Sequence, residues 1–157
     1  MYFAWGGHPG FRVPLVAGET MADYEIVFSE ACAPERVLFS DNVLVSGQKT
    51  PFPLKEGRRL QLEHRLFDHF VVVLTNMAKE LTLKGTVSGK GVCVSYPDMP
   101  YLGIWHVAKT DAPYVCIEPW SSLPGREGVT EDISCRSDLL TAAPGEEKKS
   151  VWHIRVF

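Results

Sequence analysis

Tyr114-Val115-Cys116-Ile117-Glu118-Pro119-Trp120 is the stretch on which the reading of this chain turns. Four apolar residues run into a carboxylate, which is followed at once by a proline and an indole. Such a short apolar run bounded by proline reads as a β-strand. The strand is expected to carry Glu118 inward, and Pro119 is expected to end it, having no N–H for a ladder bond. A glutamate on an apolar strand end beside an indole loses hydration, and desolvation raises a carboxyl pKa toward neutrality. A general base working near pH 7 needs that property. A strand-end glutamate held in a structural ion pair carries the same local signature.

Outward from this stretch, no segment sustains a helical period. Short runs of β-branched and aromatic residues alternate with Gly, Pro, Asn and Asp. Tyr24 to Phe28 is one such run. Arg36 to Phe39 and Val43 to Val45 are two more, joined by a tight turn at Ser40-Asp41-Asn42. Phe70 to Leu74 is continuously apolar and predicts a strand covered on both faces. Glu80 to Lys84 alternates, as a strand with one wet face does. Val92 to Tyr96 and Leu102 to Trp105 flank the turn Pro97-Asp98-Met99-Pro100, and Val151 to Phe157 ends the chain with alternation. Short helical turns are expected near Leu66 to His69 and Thr130 to Ile133. The fold class is all-β, an antiparallel sandwich or barrel. There is no internal repeat and no domain boundary, so residues 1–157 read as a single domain. The longest loop, Ser121 to Ser137, follows Glu118 directly, a common place for substrate contacts.

Composition narrows the function. A length of 157 residues, 45% of them hydrophobic and 22% charged, suits a globular domain with a real core. A net charge of -3 offers no cationic surface for nucleic acid or an anionic membrane. No apolar run reaches transmembrane length, and the first residues lack a basic or apolar leader, which predicts a cytoplasmic protein. Cys32, Cys93, Cys116 and Cys135 are widely spaced without a CxxC pair, so reduced, packed thiols are expected rather than zinc or disulfides.

His8 is the second residue that stands out. Gly6-Gly7 before it and Pro9-Gly10 after it permit only a tight backbone, and an imidazole so held is positioned for proton transfer. A turn histidine bonded to backbone would look the same. Asp68 and Asp98 are the carboxylates able to join Glu118, although each also reads as a turn or capping residue. Trp5, Phe11, Trp105 and Trp120 offer aromatic faces of the kind sugars stack on, or core. Arg12 and Arg126 are cations for a hydroxyl-rich or anionic ligand, or solvated surface. No metal-ligand spacing, serine triad or phosphate-cradling loop is present.

Together these residues resemble the aldose 1-epimerase (galactose mutarotase) superfamily, in its LacX-like branch. Tyr2 to Phe11 with Pro14-Leu15 is similar to the family's histidine motif. Leu66-Phe67-Asp68, Pro97 to Trp105 and Cys116 to Pro124 resemble three later motifs in the same order. The resemblance spans nearly the whole chain but only the C-terminal half of a family member. It implies an antiparallel supersandwich, here incomplete, with open edges and an exposed apolar face through which copies self-associate. It implies interconversion of the α and β anomers of a free hexose, plain or phosphorylated, by one acid and one base on opposite sides of the ring, with no cofactor or metal. Glu118 is the implied base and His8 the implied acid. Trp5, Gly7, Trp105 and Trp120 are the expected substrate neighbours, with Asp68, Asp98 and Arg126 as polar contacts. Many relatives carry an aspartate two positions after Asp68, where this chain has Phe70. A carbohydrate-binding sandwich without catalysis and an inactive truncated chain are the alternatives.

Overall fold

Alternation along a strand assigns successive side chains to opposite faces, and thirteen strands in this chain use it. The computed structural model describes residues 1–157 and contains no α-helix. In chain order the strands are β1 (Tyr2–Phe3), β2 (Gly10–Arg12), β3 (Tyr24–Phe28), β4 (Glu35–Phe39), β5 (Val45–Pro51) and β6 (Arg59–Gln61). They continue with β7 (Val72–Thr75), β8 (Glu80–Gly85), β9 (Gly91–Ser95), β10 (Tyr101–Trp105), β11 (Tyr114–Trp120), β12 (Leu140–Thr141) and β13 (His153–Val156). Single 3₁₀ turns lie at Met21–Asp23, His64–Phe67 and Ile133–Cys135. The last two fall near the expected turns. No helix is long and apolar enough to cross a membrane.

A six-stranded sheet, ordered β2-β11-β10-β7-β4-β5, faces a five-stranded sheet, ordered β13-β9-β8-β3-β6. All pairings are antiparallel, including the separate pair β1-β12. One hydrophobic core joins the sheets. Val72, Leu74, Leu102, Ile104, Val115 and Ile117 enter it from the six-stranded sheet, and Tyr24, Ile26, Phe28, Leu81, Leu83 and Val94 from the other. The opposite face of the six-stranded sheet carries a smaller cluster, Val37, Val71 and Val73, packed by Phe39, Tyr101, Trp105 and Trp120.

Four expectations change. Glu118 lies on that opposite face, away from the main core, because Val115 and Ile117 take the core-facing positions and alternation leaves the other face to Cys116 and Glu118. Pro119 does not end β11, which continues to Trp120. The Pro119 carbonyl accepts from Gly7 N at 2.9 Å, so its donor-less nitrogen faces the Gly6–Pro9 side and the β10 ladder loses no bond. The turn after β4 extends to Leu44, with Val43 at φ 64°, and the polar residues from Ser46 to Thr50 form an edge strand. Phe70, at φ 79°, precedes β7 rather than opening it and is exposed.

Candidate active site

The histidine motif is laid along β11. Trp5 and Ser121 hold each other by two bonds, Trp5 N donating to Ser121 Oγ and Ser121 N donating to Trp5 O, both at 3.0 Å. Gly6 bridges Trp120, Gly7 N donates to Pro119 O, Ile117 N donates to Pro9 O at 3.2 Å, and Gly10 pairs with Cys116. Gly6 must be glycine, since a Cβ there would meet Trp120 Cδ1 at 2.8 Å and Pro119 O at 2.9 Å. These contacts deliver His8 to Glu118 with Nδ1 3.3 Å from Oε1. His8 also sets its ring edge-on to Trp105, centroids 5.6 Å apart.

Glu118 is 3% exposed. Its Oε1 makes no hydrogen bond, since the His8 contact lies within ion-pair range without hydrogen-bond geometry. Burial pushes the carboxyl above its ordinary range, while His8 and the Trp120 indole oppose the rise. Gly103 sits directly across from Glu118 in the ladder. A Cβ at Gly103 would come 3.1 Å from Trp120 Cζ2 and 3.2 Å from Glu118 Cβ, so this glycine makes room for both. Cys116 shares the face of Glu118, and burial, followed by the Glu118 charge, pushes its thiol up to about 11.

A cavity of about 300 Å³ opens over the pair, walled by Trp105, Trp120, Phe39 and Phe70. Trp5 and Gly7 line an adjoining cavity of about 410 Å³ that shares His8 and Trp120 with it. Asp68 lines a third, about 790 Å³, with Arg36, His69 and Lys109, behind the Phe39–Phe70 wall. Asp98 and Arg126 are not brought to the pair. Asp98 accepts from Ser150 Oγ and Val151 N, both at 3.2 Å, which ties its turn to the C-terminal segment. Arg126 belongs to a loop that pairs with Val45 of β5 and lies over Gly47. It faces a cavity shared with Tyr101 and Arg136. The pair itself is in contact rather than spread across the width of a ring. Of the remaining histidines, His64 Nδ1 meets buried His106 Nε2 at 3.2 Å, and His153 is exposed on β13.

Reading residues singly overlooked Gly103, Ser121, Phe39 and Phe70. A glycine inside an apolar strand was the one available signal, since it often marks a close approach. The others contribute through contacts between segments distant in the chain.

No family model matches the chain. It is 36% identical over 121 residues to the chromosomal protein LacX of Lactococcus lactis subsp. lactis, a match covering 75% of this chain and 40% of that protein. The fold matches a galactose mutarotase related enzyme from Lactobacillus acidophilus with a TM-score of 0.90 and 24% identity, over all of this chain and 52% of the other. A galactose mutarotase-like protein from Lactobacillus casei matches with a TM-score of 0.85 and 28% identity, over all of this chain and 54% of the other. The chain thus spans less than half the length of the curated relative and about half of each solved structure. With an all-antiparallel sandwich, similarity to LacX and galactose mutarotase-like neighbours matching its whole length, the chain has about half of a galactose mutarotase-like fold.

Proposed function

We propose that this chain carries the acid/base pair of an isomerase that interconverts the anomers of a free aldohexose. The observation that carries the reading is a buried glutamate, held above its ordinary pKa, in contact with a glycine-framed histidine at the mouth of an aromatic-walled cavity. In this reading Glu118 removes the proton from the C1 hydroxyl as His8 protonates the ring oxygen. The bond from C1 to the ring oxygen breaks, the C1 carbonyl forms, and the C1–C2 bond rotates. Closure on the other face reverses the two roles. Both reacting oxygens are bonded to the same carbon, so acid and base must converge on one small region. A separation of 3.3 Å suits that demand. Trp105 and Trp120 supply apolar faces for the C–H side of a sugar ring. The deep seat of Glu118 beneath them excludes water from the base, which strengthens its interactions with substrate.

Polarimetry on freshly dissolved α-glucose and α-galactose tests this reading. The wild type should accelerate the approach to anomeric equilibrium, and Glu118→Gln should abolish the acceleration. Equal rates for the two proteins would remove Glu118 from the mechanism. Quenching of tryptophan fluorescence by sugar without any acceleration would establish a binding sandwich instead.

A further inference from the structure

Cys116 is the thiol beside the pair that anomer interconversion leaves unused. It precedes Glu118 by two residues on β11, so alternation places both on one face of the sheet. Its ladder neighbour is Gly10, where a Cβ would stand 3.6 Å from Sγ, in ordinary van der Waals contact. One ligating atom each from His8, Cys116 and Glu118 lies within 4.8 Å of the other two. An imidazole, a thiol and a carboxylate together form a donor set suited to a borderline-soft divalent cation such as zinc. Tetrahedral bonds of about 2.0–2.3 Å require the donors to close to about 3.5 Å of one another. His8 Nδ1 already stands 3.3 Å from Glu118 Oε1, so the closing that remains is between this pair and the Cys116 sulfur.

A second observation points the same way. Glu118 is buried, yet its Oε1 lacks a hydrogen-bond partner. A buried acceptor without a donor is costly and is relieved by a cation.

We propose that His8, Cys116 and Glu118 form a site for one divalent zinc-class cation, with its remaining position open to the cavity. Binding replaces the thiol proton: the Cys116 S–H bond breaks, the sulfur keeps the electron pair and bonds the metal, and the proton leaves to solvent. The ion occupies the carboxylate assigned above as base, so metal and sugar compete for one place. The site shares residues with the isomerase reading and stands on the geometry of its three donors and the unpartnered Oε1.

Titration of the reduced 157-residue chain with Co²⁺ tests the site, because a thiolate–cobalt bond has a near-ultraviolet charge-transfer band that nitrogen and oxygen ligands do not give. The expected result is one equivalent bound with that band, bleached when Zn²⁺ is added. The band should persist in Cys135→Ser, which removes the exposed thiol, and vanish in Cys116→Ser. His8→Ala should weaken cobalt binding by about tenfold or more, and it remains decisive if Cys116→Ser fails to fold, because His8 is exposed. A wild type without the band, a band surviving Cys116→Ser, or unchanged affinity in His8→Ala would overturn the proposal. Absent mutarotation in the metal-free chain, with the cobalt band appearing on titration, would refute the isomerase reading and leave the metal site standing.

Discussion

The two faces of the six-stranded sheet draw side chains from the same strands, one residue apart, and they are built to different ends. Toward the main core stand Val72, Leu74, Leu102, Ile104, Val115 and Ile117, all at 0% exposure. On the other face a ladder row runs from Val37 through Val73 and Gly103 to Glu118, with Trp105 and Trp120 half-buried beside it. The first face stabilises by removing apolar area from water, roughly 1.5–3 kcal/mol for each large side chain. The second surrenders some of that gain. It places a glycine where a side chain would pack and buries a carboxylate oxygen without a donor. Burial is nearly as complete at Glu118 as at Ile117, so burial alone does not separate the carboxylate from the core position beside it. The separation lies in whether the buried group is satisfied.

Substitutions at neighbouring positions of β11 should divide along this line. Glu118→Gln is expected to slow anomer interconversion by about 100- to 10,000-fold, the usual worth of a positioned general base, with no loss of stability in denaturant unfolding. Ile117→Ala is expected to lower stability by about 2–5 kcal/mol through cavity formation. If Glu118→Gln proved the more destabilising of the two, the division would fail. Gly103→Ala tests the boundary between the faces. The new methyl presses on Trp120 and Glu118 and should cost about 1–3 kcal/mol as overpacking, measured by unfolding, with a fall in polarimetric rate from the displaced base.

Two smaller effects sharpen the comparison. Burial raises the Glu118 carboxyl above its ordinary value of 4.5, so the folded chain holds this proton more tightly than the unfolded one. The associated stability is fully present below the unfolded pKa and is lost as pH rises through the folded value. Relative to Glu118→Gln, the wild type should therefore lose about 1 kcal/mol from pH 4 upward for each pKa unit of that rise, read from unfolding midpoints across pH. Ser121→Ala removes the acceptor for Trp5 N and should cost about 1 kcal/mol. Its KM should rise more than its kcat falls, since it loosens the Trp5 end of the histidine segment and leaves Glu118 in place. A kcat effect alone would place Ser121 nearer the chemistry than its bonds suggest.

The runs at Tyr24–Phe28, Glu80–Gly85, Gly91–Ser95 and Tyr101–Trp105 form strands close to where their residue pattern predicts them, because period-two alternation and β-branching act within a single segment. The motifs around His8 and Glu118 likewise marked two residues that the fold brings into contact. The face on which Glu118 lies was not legible in the same way. Alternation groups Cys116 with Glu118 and Val115 with Ile117 but does not say which pair meets the second sheet when both flanks are apolar. Pro119 survives inside β11 because of a carbonyl–amide contact with Gly7, more than a hundred residues away in the chain. The polar stretch in β5 becomes a strand because β4 offers an edge, and Asp98 and Arg126 are drawn off by Ser150 and by β5. Local residue chemistry specifies strands and reactive groups, while facing, edge pairing and the partners of turn residues are settled by contacts between distant segments, which no single stretch encodes.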